Sequence, residues 1–300
     1  VLAQRRGEVR PEMVENLAVL GLATFPLPAP VLRLLDIDPD HWLEQGVLRV
    51  EGDGYVLADN WLRQRAQGLI SNRMAVEDAL ADALTRANVG EGRWENIARH
   101  RIQGRDPNRA LPYAIRAAVQ ATEGSRFTDA RAWLMAIDPL KRDRDDPTYK
   151  ALRFDLAWAR AVTSLRTELS RVRDDLVAQA RVRATTIDDK HRCDIIEVEL
   201  ATRQGRHDDA VALLERTSEL DDPAVPAWRA LKAARVRLDQ GLPSEARKHL
   251  KGTESLGAHP NRALVGIDLA LLEGRADTAL EGCRQAIARG GLNQREPYLG

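Results

Sequence analysis

Three stretches of this chain place a Gly and an Ala on one fixed spacing: "RQGRHDDAVALLERTSELDDP", "DQGLPSEARKHLKGTESLGAHP" and "LEGRADTALEGCRQAIARGG". Each carries Gly, four residues, then Ala, as Gly205/Ala210, Gly241/Ala246 and Gly274/Ala279, with periods of 36 and 33 residues. Pro223 and Pro260 close the first two units. Leu214, Leu250 and Cys283 each lie four residues after the Ala, on the same helix face. The Gly lets the chain turn between a first helix, A, and a second, B. The Ala lets B approach A without a clash.

A fixed period near 34 with these small residues is the tetratricopeptide signature. The fold expected from Ser71 on is therefore an α-solenoid of tetratricopeptide-like repeats over 71–300. Earlier units are looser. Ile97 to Asp138 places Gly104/Ala110 and Gly124/Ala130 six apart, which reads as successive helices separated by tight turns. Neither Gly nor Pro occurs between Pro147 and Gly205. That stretch is too long for one ordinary helix, and three are expected, with breaks near Ser164–Thr167 and Thr185–Asp189. "KRDRDDP" (141–147) reads as a solvated loop between repeats.

The first 70 residues differ. "PEMVENLAVLGLA" has Pro at a helix start and apolar Met13, Leu17, Leu20 and Ala23. "APVLRLLDI" gives a second short helix. "DPDHWLEQG" gives a third, with Asp38 as N-cap, Pro39 in the first turn and Gly46 as the stop. "GVLRVEGDGYVLADN" is a β-hairpin signal around Gly52–Gly54. "ADNWLRQRAQGLI" closes the segment as a fourth helix. Three helices, a hairpin and a closing helix describe a small winged-helix domain over 1–70, with the hairpin as its wing. The overall fold class expected is all-α.

Charge then limits what the wing can do. The chain carries 45 basic and 45 acidic residues, so no global excess points to nucleic acid or to an acidic membrane surface. Residues 1–70 hold 7 basic and 10 acidic side chains. The third helix and its approach carry Asp36, Asp38, Asp40 and Glu44 and no Lys or Arg. A groove-reading helix needs cations near phosphates, so direct DNA binding is not expected. The hairpin reads instead as a structural element that closes a core with Trp42 and Trp61 and docks on a neighbouring domain.

The uncharged run Asn16–Leu32 is interrupted by Gly21, Pro26, Pro28 and Pro30 and is shorter than the about 20 apolar residues a spanning helix needs. It reads as two core helices and a turn. No signal peptide is visible. Cys193 and Cys283 lie far apart without metal-ligand spacing, which fits buried thiols in a reduced, cytoplasmic setting. The chain begins with Val1 rather than Met, so it is expected to be a piece of a longer protein.

"ENLAVLGLATFPLPAPVLRLL", "HWLEQGVLRVEGDGYVLADNWLRQ" and "IARHRIQGRDPNRALPYAIRAA", in that order, resemble the C-terminal half of STAND-type signalling ATPases, including large LuxR-type bacterial regulators. The resemblance covers most of the chain. It implies a winged helix packed on a nucleotide domain, followed by tetratricopeptide-like repeats that sense a ligand or partner. Two departures stand out. No G-x-x-x-x-G-K-[ST] occurs, so the ATPase core is absent. Many family members carry a His just after the second wing strand, within Phe-x-His-Asp-Leu-Leu-Arg. Here Asp59 stands at that His, and an anion there would repel a nucleotide phosphate.

No H-E-x-x-H, G-x-S-x-G, H-R-D or zinc spacing is present; no catalytic residue, cofactor or metal is expected, and the chain is not expected to be an enzyme. "DDKHRCD" (Asp188–Asp194) gathers acids, His191 and Cys193, but reads as an acidic helix N-terminus favoured by the macrodipole. His41, His100, His207, His249 and His259 are scattered over separate turns and helices, and most of them read as ordinary surface residues. Trp94, Trp133 and Trp158 read as packing. Trp228 falls near the start of a helix A, on the side that lines the groove of such solenoids.

Aligning Ala210, Ala246 and Ala279 puts Arg192, Glu199, Arg203, Trp228, Arg235, Asp239, Asn261 and Asp268 on the groove side of successive A helices. The mixture of charge and one large aromatic suits a peptide or protein partner better than a polyanion, and Arg with Trp is a hot-spot composition. Solvated helix faces would carry the same residues. The function expected is a non-enzymatic regulatory and protein-interaction module of a STAND-type protein. An upstream ATPase domain of the same polypeptide would be a further partner. A stand-alone tetratricopeptide adaptor and, third, a winged-helix DNA-binding regulator are the alternatives.

Overall fold

The computed structural model describes residues 11–68, 70–88, 92–140, 146–167, 174–216, 224–256 and 259–288. It is mostly helical, with one two-stranded sheet. Two compact units share the chain. One comprises residues up to Ala117 with Ala132–Leu152; the other comprises Ala118–Arg131 and residues from Arg153 on. No helix among the described residues is long and apolar enough to cross a membrane.

In the first unit, α1 (Pro11–Leu22) leads through a Pro-rich turn to α2 (Ala29–Leu34). In α3 (Pro39–Glu44), Asp38 caps the start by accepting a hydrogen bond from the Asp40 N–H at 3.1 Å. Gly46, at φ +66°, then turns the chain into the hairpin. Strands β1 (Leu48–Glu51) and β2 (Gly54–Leu57) pair Leu48 with Leu57 and Glu51 with Gly54, so Gly52 and Asp53 form a two-residue turn. Leu27 adds a further antiparallel rung, exchanging two 2.9 Å backbone hydrogen bonds with Tyr55.

Helix α4 (Asn60–Gly68) packs back on α1, and α5 (Arg73–Ala87) packs on α1, α2 and α6 (Arg93–Gln103). One core joins these elements, with Leu27, Leu32, Ile37, Leu80 and Ile97 essentially sealed from solvent. Trp42 is buried in this core, but Trp61 is 58% exposed. The expectation that both close the core is corrected: Trp61 opens α4, whose inward face is Leu62 and Ala66. His100 is corrected as well. It is 2% exposed and lies 2.6 Å from Glu77, itself 3% exposed, so a polar pair is sealed between α5 and α6.

Further along come α7 (Leu111–Glu123), α8 (Phe127–Ile137), α9 (Pro147–Thr167) and α10 (Asp174–Arg183). Then α11 (Ile187–Arg203) and α12 (His207–Glu215) form one helical pair, α13 (Ala224–Asp239) and α14 (Pro243–Lys251) the next, and α15 (Pro260–Leu272) and α16 (Ala276–Ala288) the last. The described residues of the stretch from Pro147 to Gly205 form three helices, although α9 runs through Ser164–Thr167 and the gap after it lies outside the described residues. Thr186 and Asp189 form a reciprocal capping box at the start of α11. Most of 141–147 and Pro223 also lie outside the described residues.

The Gly-x4-Ala spacing has a shared geometry. Gly205, Gly241 and Gly274 sit at φ +74°, +72° and +71°. The residue after each donates to a carbonyl five positions back, as Arg206 to Ala201, Leu242 to Arg237 and Arg275 to Ala270, at 2.8–2.9 Å. This is the Schellman end of a helix, which needs a left-handed residue. Ala210, Ala246 and Ala279 are buried at the helix contact.

The α7/α8 turn repeats the pattern with Ser125, not Gly124, in the left-handed position at φ +57°; Arg126 donates to Ala121 at 2.8 Å and Ala130 is fully buried. Ser125 stands five before Ala130, as Gly205 stands five before Ala210, which resolves the six-residue spacing. Because a left-handed L-residue costs about 1–2 kcal/mol, Ser125→Gly is expected to raise unfolding stability by about 0.5–1 kcal/mol. A lower midpoint in urea than wild type would refute this.

Candidate functional site

The A helices α11, α13 and α15 frame a cavity of about 300 Å³ in the second unit. The wall is made by helix periodicity. On α13, Val225, Trp228, Arg229, Lys232 and Arg235 recur at three- and four-residue steps and share one face. On α11 the wall residues are His191, Ile195 and Val198; on α15 they are Asn261, Leu264 and Val265. Leu214 from the B helix α12 completes it. The wall is mainly aliphatic, with one aromatic ring. The Trp228 ring meets the His259 ring edge-on, with centroids 4.6 Å apart and planes at 83°.

Its polar groups are held from behind. Arg229 is 8% exposed and donates to the Arg216 carbonyl at 2.6 Å, near the end of α12, and to Asp194 at 2.8 Å. The second oxygen of Asp194 accepts from Arg181 on α10 at 2.5 Å, and Arg181 also donates twice to Glu197, at 2.7 and 2.8 Å. The hydrogen bonds it donates to Glu197, then to Asp194, push the Arg181 guanidinium pKa up despite its burial. Burial, then the positive charge of Arg229, hold His191 below the usual imidazole range. Burial also pushes the neighbouring Cys193 thiol up to about 12, so it behaves as an inert core residue.

Of the eight groove residues expected from the repeat register, Trp228, Arg235 and Asn261 line this cavity. The other five form ion pairs along the helices. Arg235 bonds Asp239 at 3.1 Å and Asp268 on α15. Glu199 accepts from Arg203 at 2.9 Å and from Arg166 on α9 at 3.3 Å. Burial raises the Glu199 carboxyl, but Arg166, Arg203 and Lys232 outweigh it and leave the group below its ordinary value. Arg192 stacks 3.9 Å above Trp158 and pairs with Asp155 at 3.3 Å and Glu123 at 3.4 Å.

Sequence reasoning missed Arg229, Lys232 and the aliphatic wall. The signal that could have found them is the shared face of Trp228, Lys232 and Arg235 on α13.

The first unit has a more polar hollow of about 340 Å³ beside the hairpin, bordered by Phe25, Arg49, Glu51, Asp59 and Arg63. Asp59 there accepts from the Leu62 N–H at 2.8 Å and so caps α4. Asp188–Asp194 gathers no metal centre: among the described residues no group of three or more His, Cys, Asp or Glu side chains is arranged to hold an ion.

No protein-family model matches the chain, and no curated protein matches it. Among solved structures, the chain is similar to a signal transduction ATPase with numerous domains (STAND) that carries a tetratricopeptide repeat sensor, from Pyrococcus horikoshii. The identity is 14% and the TM-score 0.49, over 92% of this chain and 50% of that one. The chain spans about half the length of that protein.

Proposed function

We propose that this chain is a non-enzymatic, cytoplasmic regulatory module that senses a ligand or partner through its helical repeats, within a STAND-type signalling protein. The observation that carries the reading is the cavity framed by the A helices of three successive helical pairs. A site built across repeats responds to changes in repeat spacing, which is what a sensor requires. An upstream ATPase domain of the same polypeptide would receive the signal. We assign the first segment as a winged helix, supported by the order α1, the Leu27 rung, α2, α3 and hairpin. Its role is an intramolecular contact surface. The acidic approach to α3, with Asp36, Asp38, Asp40 and Glu44, argues against reading phosphates.

The test is capture of the bound partner or ligand from the native host by wild type and by Trp228→Ala, with far-ultraviolet spectra to verify folding. Trp228→Ala is expected to weaken the specific interaction by about 2 kcal/mol or more. The same set of bound species on both proteins would overturn this siting.

A further inference from the structure

We infer that the cavity between α11, α13 and α15 carries an electrostatic latch: the Arg235–Asp268 ion pair holds α15 against α13, and filling the cavity releases it. This rests on the sensing role proposed above and specifies how occupancy is passed along the repeats.

Three cations on the cavity face of α13 reach acids on the helices at either side. Arg229 bonds Asp194 on α11, Lys232 acts on Glu199 on α11, and Arg235 bonds Asp268 on α15. The same side chains line the cavity and tie α13 to its neighbours. The width of the cavity and the spacing of the helical pairs are therefore one coordinate. The series follows the repeat. Arg166, Glu199 and Lys232 stand at 33-residue steps with alternating sign, and Arg235 and Asp268 are again 33 apart.

Burial decides which tie yields. Arg229 is buried and serves the Arg216 carbonyl as well as Asp194, so its tie is anchored. The Arg235 and Asp268 side chains are 47% and 40% exposed. An exposed pair is weak in water and is screened by salt, with a Debye length of about 10 Å at 0.1 M and about 3 Å at 1 M. Arg235 has a second partner, Asp239, one turn on along its own helix at 3.1 Å. It leaves Asp268 without losing a counter-charge, which gives the latch two discrete positions.

Behind the latch, Ala234, Leu238, Ala246, Val265 and Leu269 form one apolar cluster across α13, α14 and α15. That seam stays packed and serves as the pivot. Arg235 is itself part of the wall, so a body that fills the cavity of about 300 Å³ competes with Asp268 for its position.

The experiment is pulsed dipolar spectroscopy on the full chain, with spin labels at Gln204→Cys, at the end of α11, and Leu272→Cys, at the end of α15. Both positions are exposed, Cys193 is buried, and Cys283→Ser removes the other thiol. Arg235→Gln, Asp268→Asn and the cavity-filling Leu264→Trp are each expected to lengthen the label distance by about 2 Å, as is about 0.5 M NaCl on wild type. The double variant Arg235→Gln/Asp268→Asn is expected to show the shift of either single variant and to lose the response to salt. Far-ultraviolet spectra verify folding, and Asn261→Trp fills the same cavity should Leu264→Trp not fold.

Wild-type distances in Arg235→Gln and Asp268→Asn would overturn the latch. A shift in those two variants with none in the cavity-filled protein would overturn release by filling. Failure of the sensing role reads differently: the same species captured by wild type and Trp228→Ala would overturn that role, whatever the label distances show.

Discussion

Asp194→Ala is expected to lose about 2–3 kcal/mol of unfolding stability, although the side chain it removes is small and a quarter exposed. Asp194 is the anion between two guanidinium groups, Arg181 on α10 and Arg229 on α13. Without it, Arg181 keeps Glu197, whereas Arg229 keeps its bond to the Arg216 carbonyl but loses its carboxylate partner, in a site where its own side chain is 9% exposed. Breaking a fully buried pair costs about 3–5 kcal/mol. The 33% exposure of Arg181 brings that down, because solvent screens its share.

The origin of the loss can be separated from packing. Asp194→Leu combined with Arg229→Met removes both charges and is expected to recover most of the loss, since a well-packed apolar replacement of an ion pair is about neutral. Urea unfolding of the three proteins is the measurement. A loss below about 0.5 kcal/mol for Asp194→Ala, the size of an ordinary surface change, would show that the Arg181–Asp194–Arg229 chain adds nothing to stability.

The second large effect is expected from Ala246→Leu and Ala210→Leu, each destabilising by about 1–3 kcal/mol. Both alanines are fully buried, Ala246 among Leu231, Ala234, Leu238, Val265 and Leu269, and Ala210 among Val198, Ala201, Val211 and Val236. Three extra carbons have no space between helix B and helix A, so the helices must separate or the side chains leave their rotamers. Ala212 lies two residues from Ala210 on the exposed face of α12. Ala212→Leu is therefore expected to stay within about 0.5 kcal/mol of wild type. Equal denaturation midpoints for all three variants would refute the helix contact.

Much of the local structure was legible because it follows from rules acting over a few residues. Asp38, Pro39 and Gly46 bound α3 as expected, and the Gly-Asp-Gly stretch turns a hairpin. The groove was legible only in part. The repeat register located Trp228, Arg235 and Asn261 on the cavity, yet gave no account of which charges are already paired. Arg166 and Glu199, and Arg235 and Asp268, are each 33 residues apart, about one repeat. Such pairs were in principle visible as a periodicity of opposite charges, but only side-chain distances distinguish a pair from two solvated groups.

The sequence by itself determined the helical pairs: glycine adopts the left-handed conformation that ends helix A with little strain, and alanine permits the approach of helix B. Both are properties of single residues on a fixed spacing. Tertiary structure alone decided that Ser125 makes the same turn without glycine, that His100 is sealed against Glu77, and that aliphatic residues from four helices enclose a cavity with a cationic lining. Those outcomes depend on what packs across from a residue. Backbone strain is tolerated where buried contacts on both sides hold it, and a buried polar group persists where its partner arrives from another helix.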